Sequence, residues 1–340
     1  MKTHELVSTA QALVPAGKGI LAADEGEATI KRRFDSINVE CTEANRRGYR
    51  EMLFTTPSTE EFISGVILFE ETLRQSTQDG TPFPELLANR GIISGIKADT
   101  GPKDLAGFPG ETVTEGLDGL RERLTEYREL GARFGKWRAP INVGDGLPTQ
   151  FGIDANAHAL ARYAAICQEV GLVPIVEPEI LMEGSHTIER CEEITETALK
   201  RVYFELHAHR VVLEGTLLKP NMVLSGTDCP VQAGVQQVAE ATVRCFRRAV
   251  PAAVPGIVFL SGGQSAKLAT EHLNAMNAIG NSPWELSFSY GRALQGPTLE
   301  AWGGNPANAS KAQKVFYHRA KCNGAARYGK YTQQMEALAA

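Results

Sequence analysis

Residues 132–180, ARFGKWRAPINVGDGLPTQFGIDANAHALARYAAICQEVGLVPIVEPEI, place two short apolar runs on either side of a segment with helical period. The runs, 132–139 and 172–180, have the length of strands. Between them Leu160, Tyr163, Cys167 and Val170 recur three or four residues apart, and Gly171 stands where the left-handed end of a helix favours glycine. Strands joined through a helix run parallel, by a right-handed crossover.

The same unit repeats outward in both directions. Further apolar runs are GILAA (19–23), VILF (66–69), IISGIKA (92–98), VVLEGTLLK (211–219), IVFLSG (257–262) and WELSFSY (284–290). Helical periods separate several of them, at Leu117, Leu120, Leu124 and Tyr127 before Gly131, and at Val235, Val238, Thr242, Cys245 and Ala249. Eight such strands predict an α/β fold, a single (β/α)8 TIM barrel over about 17–325 with an N-terminal extension and a C-terminal tail at 331–340. A doubly wound open sheet is the alternative, but the first run leads into ADEGEAT and not into the GxGxxG turn such a sheet uses for dinucleotides.

Composition narrows the function classes. With 35 basic against 40 acidic residues the chain has no global attraction for nucleic acid or an anionic membrane. Its six cysteines show no close pairing, as expected of free thiols in a reducing compartment. No run approaches the ~18 uncharged apolar residues of a membrane helix, and Glu5, Pro15 and Lys18 interrupt the N-terminus. A cytoplasmic protein with a small-molecule substrate is the expectation. His207 and His209 have no partner at metal-ligand spacing, so no metal site is expected.

In a parallel barrel the working groups gather at the C-terminal strand ends. Those ends carry Asp24; Lys97 with Asp99; Lys136 with Arg138; Glu177 with Glu179; Lys219; Ser261, Gly262 and Gly263; and Ser289 with Arg292. Each alone has a plainer reading. A strand-end lysine is ordinarily a snorkelling cation, EPE a solvated turn, SGGQ a common turn composition, and Asp24 a helix cap. Lysines, carboxylates and a glycine turn at the same end of successive strands are not explained that way.

The set supports one chemistry. A lysine in apolar surroundings near other cations loses proton affinity, and its neutral amine attacks a ketone to form a Schiff base. Lys219 fits that role, Glu177 and Glu179 supply acid and base for dehydration, and Asp24 is placed to deprotonate the departing hydroxyl. The glycine turn at 261–263 with Arg292 suits a phosphate.

GILAADE, GIKAD, KWR, VPIVEPEI, LEGTLLKPNM, FLSGGQS and FSYGRALQ, in this order from about Leu13 to Tyr331, resemble the class I fructose-bisphosphate aldolases. The resemblance implies reversible cleavage of fructose 1,6-bisphosphate to dihydroxyacetone phosphate and glyceraldehyde 3-phosphate, without metal or other cofactor, by a homotetramer. It implies Lys219 as the Schiff-base nucleophile, Glu177 as acid and base with Glu179 its partner, Lys136 as a supporting cation and Asp24 as the base at cleavage. Ser261, Gly262, Gly263 and Arg292 are then expected at the C1 phosphate, Lys97 and Arg33 nearer the C6 phosphate, and Arg138, Thr29, Ser289 and Gly291 elsewhere on the substrate.

Two departures stand out. The animal enzymes have a serine directly after the Asp-Glu pair, where this chain has Gly26, and Thr29 is left to supply a hydroxyl. They also end in a tyrosine that helps protonate the enamine, whereas the last residues here are QMEALAA. Turnover limited at enamine protonation is the expectation, and deuterium exchange into dihydroxyacetone phosphate faster than cleavage would refute it. Another Schiff-base sugar-phosphate aldolase, transaldolase-like, and a non-catalytic sugar-phosphate scaffold are the competing functions.

Overall fold

The computed structural model describes residues 3–339. Eight parallel strands close on themselves: β1 Gly19–Ala23, β2 Ile63–Leu68, β3 Ile93–Lys97, β4 Phe134–Ile141, β5 Val173–Ile180, β6 Leu217–Leu218, β7 Gly256–Phe259 and β8 Glu285–Tyr290. Neighbours in sequence are neighbours in the sheet, and β8 returns to β1 with Ile20 opposite Ser289 and Leu21 opposite Tyr290. Every barrel strand therefore has two partners, and the open sheet is excluded.

Alternation along the strands builds the interior. Ile20, Ala22 and Asp24 share one face, as do Phe134, Lys136 and Arg138, then Val173, Ile175, Glu177 and Glu179, and finally Leu217 and Lys219. The lower members of these rows form one buried apolar cluster. Their upper members are charged. The helix Thr3–Leu13 closes the floor, since Leu6, Ala10, Leu13 and Val14 belong to that same cluster. Glycines make room for it: a Cβ on Gly65 would lie 2.7 Å from Leu13, and one on Gly256 2.8 Å from Val14.

A second, larger core joins the outer strand faces to the helices, as where Trp137 of β4 stacks on Tyr163 at 5.3 Å. The helix Gln150–Val170 starts at Thr149, whose hydroxyl accepts from the Gly152 amide, and ends at Gly171 with φ +91°. That ending is the one the sequence predicts.

Three segments differ from expectation. Residues 211–219 are not one strand: Leu213–Gly215 is a 3-10 turn and only Leu217–Leu218 joins the sheet, because Pro220 has no amide to continue the ladder. Lys219 still donates its amide to the Val176 carbonyl at 2.8 Å. The fourth strand begins at Phe134 and runs on to Ile141, although Arg133 just before it already donates its amide to the Ser94 carbonyl at 2.8 Å and accepts from the Val173 amide at 3.1 Å. An antiparallel hairpin, Gly101–Asp104 with Thr112–Glu115, follows β3; its polar, largely exposed residues lack the apolar run that marks the others.

The tail returns to the body as a 3-10 turn, Gln333–Ala339, where Glu336 accepts from Arg319 and from the Tyr331 hydroxyl at 2.6 Å. Ala340, the last residue of that expected tail, lies outside the described residues. Among the described residues no helix is long and apolar enough to cross a membrane, and all six cysteines are free thiols.

Candidate active site

The charged rim has Lys136 at its centre. Its Nζ lies 2.8 Å from Asp24 Oδ2, 3.2 Å from Glu177 Oε2 and 4.0 Å from Asp99 Oδ2. Lys219 Nζ reaches the other oxygen of Glu177 at 3.1 Å. Glu177 thus bridges two lysines, and Lys136 joins Glu177 to Asp24. All four side chains are buried or nearly so, with Lys219 5% and Lys136 3% exposed. Buried charge persists here because each sign is matched by the other.

Backbone register sets the arrangement. Parallel pairing puts Lys97 beside Lys136 and Arg138 beside Glu177. Asn221 secures the chain after Lys219 by accepting from the Ile180 amide at 2.9 Å and donating to the Met222 carbonyl at 3.0 Å. Lys97 donates to the Asp99 carbonyl at 2.7 Å, while the Arg138 amide donates to Asp99 Oδ2 at 3.2 Å. Arg138 pairs through Nε with Glu179.

Protonation follows from these contacts. Burial pushes the Asp24 carboxyl up, but Lys136, Lys219 and Lys97 together outweigh it and hold the group well below the usual carboxylate range. Burial pulls Lys136 down, and Asp24, Glu177 and Asp99 more than reverse it, so its ammonium is held well above the ordinary lysine range. Glu179 goes the other way: burial raises it, and Arg138 only partly offsets this. The rim therefore contains one carboxylate strongly committed to its charge and another drawn toward its acid form.

At the next strand ends a glycine turn replaces the charged side chains. Ser261 is followed by Gly262 and Gly263 at φ +49° and +80°, left-handed values that glycine adopts without strain. A Cβ on Gly263 would lie 3.1 Å from Arg292 Nη2, so the guanidinium lies beside the turn. A Cβ on Gly291 would lie 3.6 Å from Arg33 Nη2. Ser289 is buried and its hydroxyl has no hydrogen-bond partner. Thr29 sits on the helix Glu27–Asp35, where its hydroxyl accepts from Arg32 at 3.4 Å, and Gly26 caps that helix without a side chain.

Glu25, itself buried, binds Arg33 through one oxygen and Arg50 through the other at 2.5 Å, and Arg33 lies beside Gly291. Gln295 completes the cluster by donating to Glu25 at 2.8 Å and to the Ala22 carbonyl at 2.7 Å. Sequence reasoning missed Glu25, Arg50 and Gln295 as a group, and also His272, whose Nδ1 lies 2.6 Å from Gln264 Oε1. Gln264 in turn donates from its backbone and side chain to the Ser261 carbonyl at 3.1 and 2.9 Å. Only the buried acid directly after Asp24 offered a signal for any of these.

His209, set aside in the sequence for want of suitably spaced partners, has two neighbours in the fold. On the outer wall it meets His158 and Glu205.

Known proteins resemble this chain over nearly its whole length. The family model for fructose-bisphosphate aldolase class-I matches residues 5–340. A probable fructose-bisphosphate aldolase class 1 from Xanthomonas campestris is 57% identical over 332 residues, 97% of this chain and 99% of that one. The fructose-bisphosphate aldolase of Dictyostelium discoideum is 56% identical over 331 residues, covering 96% and 93%. A crystal structure of fructose-bisphosphate aldolase from Plasmodium falciparum, in complex with TRAP and a small molecule inhibitor, superposes with a TM-score of 0.96 at 52% identity, over 97% of this chain and 95% of that one. The chain that places Lys219, Glu177, Lys136 and Asp24 in one buried line belongs to the class I fructose-bisphosphate aldolase family.

Proposed function

We propose a division of labour among these residues for the reversible cleavage of fructose 1,6-bisphosphate, the lyase reaction of the family to which the chain belongs. Glu177 takes a proton from Lys219, and the amine so freed adds to the ketone at C2. Glu177, 3.1 Å away, transfers the protons that turn the carbinolamine into an iminium and release water. Asp24 then takes the proton of the C4 hydroxyl as the C3–C4 bond breaks. The bonding pair moves into the iminium to give an enamine, and glyceraldehyde 3-phosphate leaves. Protonation at C3 and hydrolysis return dihydroxyacetone phosphate and the free lysine. The iminium is the electron sink, so the route calls for no metal.

Lys136 stabilises the two carboxylates as their charge changes, and Glu179, held by Arg138, tunes Glu177 from one side. Ser261, Gly262, Gly263, Ser289, Gly291 and Arg292 take the C1 phosphate, and the position of Arg33 against Gly291 favours adding it to that group. Lys97, Arg138 and Thr29 remain for the C6 end. A single domain acting as a homotetramer in the cytoplasm fits the family, and an Arabidopsis thaliana relative is named cytosolic.

The observation that carries this reading is the pair of contacts Glu177 makes, one oxygen to Lys219 and one to Lys136. Borohydride reduction in the presence of dihydroxyacetone phosphate tests it. Covalent label on Lys219, absent from Lys219→Met along with all cleavage, is expected; label elsewhere or cleavage by the variant refutes it.

A further inference from the structure

A groove of about 870 Å³ runs along the outer wall between the hairpin strand Thr112–Glu115 and the helices Gln150–Val170 and Ile188–Ala208. At its edge three side chains from the two helices converge. His158 comes from the first helix; Glu205 and His209, the last turn and cap of the second, are four residues apart and so share a face. One donor atom of each lies within 4.8 Å of the others.

Detailed geometry favours a ligand over a plain ion pair. Glu205 Oε2 faces His158 Nδ1 at 3.0 Å and His209 Nδ1 at 3.7 Å. Tetrahedral zinc with ~2.0–2.1 Å bonds separates its ligand atoms by roughly 3.3 Å, between those two values. The other oxygen, Oε1, accepts from Arg201 at 2.7 Å, and Arg201 is held in turn by Asp154 at 2.9 Å. That contact orients the carboxylate and leaves Oε2 for the shared position. His209 Nδ1 also lies 2.9 Å from the Glu205 carbonyl, a contact it exchanges for the cation when it ligates through that nitrogen. A simple pair with Glu205 needs one imidazole. Here two stand edge to face, 5.0 Å apart, around one carboxylate oxygen.

We propose that His158, Glu205 and His209 bind a zinc-class divalent cation, with water in the fourth position on the exposed side of His158, and that the cation ties the two helices together. It is remote from the reacting groups and leaves the proposed cleavage chemistry untouched. Among the described residues a second cluster, His318, Cys322 and Glu336, is the rival location. It is the weaker one, because Glu336 is already engaged by Arg319 and Tyr331 and burial pushes the Cys322 thiol up to about 11.

The test is calorimetric titration of the chelator-treated full chain with Zn2+ alone, together with the Co2+ absorption spectrum. One saturable site is expected, with a melting temperature that rises on loading. His158→Ala and His209→Ala should each weaken uptake about tenfold or more, while Cys322→Ser leaves it unchanged and cleavage activity stays constant. Bound Co2+ should show tetrahedral bands without thiolate charge transfer. Absence of saturable uptake, uptake that survives both histidine replacements in folded protein, or a thiolate band lost in Cys322→Ser would overturn the assignment.

Discussion

Acid should loosen this protein through His272. The side chain is 2% exposed, Gln264 Oε1 occupies its Nδ1, and its Nε2 has no partner. Protonation would create a buried, unpaired N–H on a charged ring. Burial accordingly pulls the imidazole from its ordinary 6.5 down to about 4. The unfolded chain takes up this proton below its ordinary value, whereas the folded chain refuses it until near 4. The stabilising contribution is therefore complete above the unfolded value and is lost as pH falls toward the folded one. Between about pH 7.5 and about pH 5 linkage gives a loss of about 2 kcal/mol from this one group. His272→Asn retains a neutral amide donor for Gln264 and has no proton to gain. Urea unfolding of both proteins across that range should show the wild type losing about 2 kcal/mol more than the variant. Other histidines that burial lowers, such as the half-buried His186, are common to both proteins and cancel in the difference. Parallel stability curves would refute the reasoning.

The other predictions concern the rim. Lys136→Met leaves Asp24, Glu177 and Asp99 around a missing cation; urea unfolding should show a loss of about 3–5 kcal/mol. Without that cation the Asp24 carboxyl moves upward, so the acid limb of the pH–rate profile should shift to higher pH. Lys97→Ala should impair cleavage of fructose 1,6-bisphosphate much more than of fructose 1-phosphate, and equal losses would favour a single-phosphate aldolase. Gly26→Ser should be tolerated, since its Cβ would lie 3.5 Å from the Phe69 ring at φ −70°. The added hydroxyl should lower KM for the bisphosphate about fivefold, the worth of one hydrogen bond, and an unchanged KM would show that it does not reach the substrate.

The strands were readable because their inner faces change from apolar to charged within a few residues, as Phe134 gives way to Lys136 and Arg138. Period two told which side chains share a face, and chain order told which strands meet. The same signal failed at 211–219, where a continuous apolar look concealed a 3-10 turn and a two-residue strand. It was silent on the hairpin after β3, which buries little. Groups assembled across distant segments were the least accessible. Glu25 meets Gln295 across 270 positions, and His158 meets Glu205 across 47, separations at which no local period operates.

The helix Thr3–Leu13 is the stopper of a vessel that does not exist when the stopper is made. Residues from β1 to β7 surround its apolar side, so its seat is complete only after most of the chain has left the ribosome. Until then Leu6, Ala10 and Leu13 are a short greasy segment without a home. Its docking is a contact of very long sequence separation, of the kind that slows folding. Final sealing of the barrel thus belongs to a segment synthesised before its own seat, and a chaperone that shields it early would serve the whole fold.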